Sequence, residues 1–72
     1  MDEEKLLKIF GLNMKMARMK LGLTQVQLAE KLNVHEKHIC KIETGKQNVT
    51  LKTLAKISNV LNVSESYLLC EK

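Results

Sequence analysis

Apolar positions along the 72-residue chain fall into five stretches with a helical period. From about Glu4 to Leu21, the residues Leu6, Leu7, Phe10, Met14, Ala17 and Leu21 recur mainly at spacings of three and four, which places them on one helix face. Asp2, Glu3 and Glu4 stand at its start, where acidic groups suit the positive end of the helix dipole, and Gly22 closes it. Gly11 lies inside this pattern at a cost of about 1 kcal/mol relative to Ala, which points to close approach by a neighbouring helix. Thr24 and Gln27 then read as a capping box opening a second helix, with Leu28, Ala29 and Leu32 as its buried face.

After Leu32 the rhythm breaks. A continuing helix would next bury position 35 or 36, but these are His35 and Glu36, and the apolar residue is Val34, about 200° around the helix from Leu32. Asn33 supplies the stop, because Asn tolerates the left-handed conformation that ends helices, and Val34 is expected to plug the resulting corner. The period restarts at Ile39 and Ile42, which predicts a third helix from about Glu36 to Thr44, closed by Gly45. Thr50 opens a fourth helix burying Leu51, Leu54, Ile57 and Leu61, and Ser64 opens a short last one carrying Leu68 and Leu69. The fold class read from this pattern is all-α.

Length and composition narrow the picture. Residues 1–72 are expected to make one small domain, without a second, sensing domain, and the core must be aliphatic, since Phe10 and Tyr67 are the only aromatic residues. The net charge is only +4, but residues 5 to 56 hold eleven Lys or Arg against three Glu. So basic a middle segment suits a polyanion partner, with a solvated basic face as the plainer alternative. Cys40 and Cys70 are thirty residues apart, no metal-like spacing, and no apolar leader is visible, so reduced thiols in a cytoplasmic protein are expected. No apolar run approaches the roughly 18 residues of a membrane span.

Two short helices joined by three residues, with a small Ala29 in the first and a left-handed residue in the turn, describe a helix-turn-helix over about residues 24–44. The sequence here resembles the helix-turn-helix domain of phage repressors and Cro proteins, the XRE type with a lambda-repressor-like fold, over about residues 6–69. The resemblance rests on "GLTQVQLAEKLNV" from Gly22, on the pattern IxxIExGK from Ile39 to Lys46, on the stretch from Thr50 to Ser64, and on "YLL". Three positions depart from the family pattern. Asn33 replaces a Gly; Val49 replaces a Pro, which is expected to loosen the loop before the fourth helix; His35 replaces a Ser or Thr, and is expected to cap poorly.

The resemblance implies a compact five-helix domain whose third helix enters the DNA major groove. The base-facing set becomes Glu36, Lys37, His38 and Lys41. The two lysines can donate to guanine O6 and N7, and the carboxylate can accept from cytosine N4. Gln25, Thr44, Lys46, Gln47 and Asn48 become phosphate contacts that position the duplex without reading it. Arg18 and Glu43 match positions that form an ion pair between the first and third helices, and Cys40 is expected as a small residue near the DNA face. Tyr67, Leu68 and Leu69 are the expected dimer surface.

The implied function is a sequence-specific transcriptional regulator, a repressor acting as a homodimer on a pseudo-palindromic double-stranded operator. The alternatives are a controller protein of a restriction-modification system and an antitoxin-type module with a protein partner. No catalytic, metal or cofactor role is expected, because His35 and Cys40 fall on different helix faces and no set of ligands converges.

Overall fold

The structure, a computed structural model, describes residues 2–71. Its helices are α1 (Glu3–Lys20), α2 (Gln25–Leu32), α3 (Glu36–Glu43), α4 (Leu51–Leu61) and α5 (Glu65–Leu69), and no strand occurs among the described residues. Each helix begins on a side chain that accepts a hydrogen bond from an otherwise unpaired N–H of its first turn: Asp2, Thr24, His35, Thr50 and Ser64. At Thr24 the bond is reciprocated, Gln27 Oε1 accepting from the Thr24 N–H at 2.9 Å. His35 therefore caps after all: its Nδ1 accepts from Lys37 N–H at 3.1 Å, the imidazole nitrogen doing what a hydroxyl oxygen does elsewhere.

The first four helices all end in one way. Gly22, Asn33, Gly45 and Asn62 take positive φ, and the residue after each returns its N–H to a carbonyl five residues back. These bonds run from Leu23 to Arg18, Val34 to Ala29, Lys46 to Lys41 and Val63 to Ser58, at 2.9–3.1 Å. Thr44 adds its hydroxyl to the end of α3, donating to Cys40 O at 2.9 Å.

Buried aliphatic side chains from all five helices form one core around Phe10, Met14, Leu28, Ile39, Ile57 and Leu68. The helix α1 packs on α3, α4 and α5, while α2 packs on α3 and α4. At Gly11 the backbones of α1 and α3 nearly touch: a Cβ there would press on Ile42 O and lie 2.7 Å from Glu43 O. The close approach signalled by a glycine in mid-helix is thus α1 against the last turn of α3.

Asn13, on the inner side of α1, is buried and donates through Nδ2 to Leu68 O at 3.0 Å and to Cys70 O at 2.7 Å. It holds the carbonyls left unpaired at the end of α5.

Several expectations need correction. Val34 does not plug a corner: it is 37% exposed, and what closes the turn is its backbone N–H rather than its side chain. Leu21 lies beyond the last residue of α1 and is half exposed instead of joining the buried face. Leu51 is 84% exposed, since the first residue of α4 precedes the turn that meets the core. Val49, which stands where the family pattern has a proline, packs partly buried against the core.

Candidate nucleic-acid interface

The outward surface of α3 follows from what its other side buries. Ile39, Ile42 and Glu43 face inward, and Glu36, Lys37, Cys40, Lys41 and Thr44 form the exposed stripe at the i, i+1, i+4, i+5 and i+8 positions of one helix face. Lys46 and Asn48 continue this surface as exposed residues of the following loop. The stripe carries two cations and one anion, each at the end of a flexible stem, and nothing in it requires burial within the domain.

Two residues first assigned to separate tasks occur as a pair. Gln47 Nε2 lies 3.0 Å from His38 Nδ1, the amide donating to the ring. Both side chains are partly buried, and His38 lines a small cavity of about 60 Å³ with Leu32, Val34, Thr53 and Lys56. The ring therefore sits on the flank of α3 nearest α4, off the centre of the exposed stripe, and it ties the loop to the helix.

The orientation of α3 is set from behind. Arg18 Nε donates to Glu43 Oε2 at 2.7 Å and Nη2 to Oε1 at 3.1 Å, while Nη1 donates to Leu23 O at 2.7 Å. Glu43 Oε1 also accepts from Gln25 Nε2 at 3.0 Å. Arg18 and Glu43 are both buried, so their desolvation has to be offset by this full set of bonds. The Glu43 carboxylate at the end of α3 thus holds α1 and the first turn of α2, and Arg18 extends the network to the loop before α2. Gln25, assigned from sequence to a phosphate, has its amide engaged in this network.

Sequence reasoning also missed Asn13 as an anchor of α5. Its signal was a lone polar residue on the apolar side of α1, but the partners lie more than fifty positions away.

Of the three residues expected at a dimer surface, Leu68 is fully buried in the core of its own domain and presents nothing to a partner. Leu69 is exposed, and Tyr67 is half-buried against the core. Cys40 and Cys70 are free thiols, both exposed. Among the described residues no group of three or more His, Cys, Asp or Glu could hold a metal ion, and no helix is long and apolar enough to cross a membrane.

Two helices crossing at a left-handed Asn, with the second locked by a buried ion pair and exposed along one stripe, match a known family pattern. The helix-turn-helix family HTH_3 matches residues 14–68. The chain belongs to that family. Among its relatives, the HTH-type transcriptional regulator ImmR of Bacillus subtilis is 42% identical over 59 residues, covering 82% of this chain and 46% of that protein. The immunity repressor protein of Bacillus phage phi105 is 36% identical, covering 86% of this chain and 43% of the repressor. The chain spans about half the length of the curated relatives it matches.

Among solved structures, the restriction-modification controller protein C.AhdI from Aeromonas hydrophila superimposes with a TM-score of 0.86 at 26% identity, covering 94% of this chain and 99% of the controller. The all-helical, five-helix arrangement is the lambda-repressor-like fold shared by these helix-turn-helix proteins.

Proposed function

We propose that this helix-turn-helix protein is a sequence-specific DNA-binding transcriptional regulator, a repressor that binds a pseudo-palindromic operator as a homodimer with α3 in the major groove. The observation that carries the reading is the exposed stripe of α3, polar at every position but Cys40 and backed by the buried Arg18–Glu43 pair. A helix of eight residues is about 12 Å long, which suits a groove roughly 12 Å wide. Glu36, Lys37 and Lys41 face base edges in this arrangement. Thr44, Lys46 and Asn48 lie along the phosphates, and His38 holds Gln47 in place for the same backbone. The relatives named as a transcriptional regulator and as an immunity repressor support the assignment, and the controller protein keeps regulation of restriction-modification genes as the second reading.

The second copy docks on the apolar face to which Leu69 belongs. Leu51 protrudes there beside a groove of about 270 Å³ lined by Leu6, Leu7, Phe10, Val49, Leu54 and Leu69. A knob next to a hole on one surface is what a two-fold, self-complementary contact requires, each Leu51 entering the partner's groove.

Selection of bound sites from random duplex DNA, followed by sequencing, tests the whole reading. The expected result is two inverted half-sites about one helical turn apart. Recovery of no enriched sequence would overturn base-specific recognition, and recovery of single, unpaired half-sites would overturn the dimer.

A further inference from the structure

The side of α1 turned away from the core carries a second pattern that the helix-turn-helix does not use. Ile9, Leu12, Met16 and Met19 follow one another at spacings of three, four and three, which is the a and d seam of two heptads. Leu12 is 55% exposed, Met16 38% and Met19 60%, with Ile9 half-buried. The inner positions of the helix, Phe10, Met14 and Ala17, are already spent on the core, so this seam is a separate surface.

Its flanks carry Lys8, Lys15 and Lys20, while Glu71, paired with Lys5, borders the end formed by Ile9 and Leu12. Lys8 and Lys15 fall at the g positions and Lys20 at an e position, the places that choose a partner in paired helices. A second copy laid parallel sets Lys15 against Lys20, and one laid antiparallel sets Lys8 against Lys15. Either arrangement places like charges opposite each other. Complementary charge comes from glutamates. Methionine, flexible and polarizable, adapts to an apolar face of varied shape, which suits a side chain-rich protein surface.

We infer that α1 is a docking surface for an acidic amphipathic helix of another protein, whose apolar seam covers Ile9, Leu12, Met16 and Met19 and whose flanking glutamates meet Lys8, Lys15 and Lys20. The apolar seam faces away from the core, while Lys8 on its g edge lies against Gly45 at the end of α3.

The probe is a fluorescent three-heptad peptide with Leu at a and d and Glu at e and g, titrated with the full chain, beside a twin with Lys at e and g. The Glu peptide is expected to bind with a micromolar dissociation constant that weakens with salt, and the Lys peptide is expected not to bind. Leu12→Asp should weaken the Glu peptide at least about tenfold, while melting as the parent does because the site is exposed. Lys15→Glu with Lys20→Glu leaves the seam intact and should reverse the preference toward the Lys peptide.

No binding of the Glu peptide, equal binding of both peptides, or binding indifferent to Leu12→Asp would overturn the assignment. So would two other outcomes: co-sedimentation with phosphatidylserine vesicles, but not phosphatidylcholine vesicles, in place of peptide binding, or a change in self-association on Leu12→Asp.

Discussion

Lys37 and Lys46 have the same side chain and are both exposed, yet they stand in different places: one on the outward stripe of α3, the other just past its end. With α3 in the groove, Lys37→Ala or Lys41→Ala should each cost ~1–3 kcal/mol at one base position and relax preference there, whereas Lys46→Ala should weaken all sequences alike. Competition binding on selected and random duplexes separates the two outcomes, and equal losses on both kinds of DNA would remove the two lysines as readers.

Glu43 presents a different problem, since it never reaches the surface. Glu43→Gln leaves the buried Arg18 guanidinium without its counter-charge, and breaking such a pair costs ~3–5 kcal/mol. Urea unfolding should show a midpoint shifted far down. A loss below about 1 kcal/mol would mean that water already solvates the arginine.

At the level of the helices, the placement of α3 depends on contacts behind it. Gly11 sets how closely α1 can approach its last turn. Gly11→Ala puts a methyl group on carbonyls that cannot retreat without moving α3, an overpacking cost of about 1–3 kcal/mol. Operator affinity should fall as well, because the same displacement turns the reading stripe. Thermal melting together with binding checks both parts; a variant that melts lower but binds as before would show that α3 relaxes without rotating.

Across the whole molecule, extents of 32 × 21 × 20 Å match about one turn of duplex, the span of one half-site in the proposed operator. A single module of this kind buries only ~600–1,000 Å² on DNA, which makes pairing of copies the natural source of further affinity. Phosphate contacts from two copies should make binding strongly salt-dependent. With about six phosphates engaged, affinity should drop on the order of 10³ or more between 50 and 200 mM salt. Filter binding over that range measures the slope, and a flat response would argue for a protein partner in place of DNA.

Helix number and order, and most helix ends, were legible in the sequence alone. Capping and left-handed termination are local events: Thr24 with Gln27, Asn33 before Val34, and Thr50 or Ser64 ahead of an apolar run act within a few residues, and the chain spells them out directly. Of the set that the resemblance implied on α3, Glu36, Lys37 and Lys41 lie on its exposed stripe, while His38 sits on its flank. Other features depend on neighbours far along the chain. Gln25 turned to Glu43, His38 to Gln47, and Asn13 to the end of α5 because those partners were brought within hydrogen-bond distance by packing. Leu68 was withdrawn from the surface, and Leu51 left on it, by where the core closes. A hydrophobic period identifies which face of a helix is apolar, but whether that face meets the core, a second chain or water is set by the helices around it.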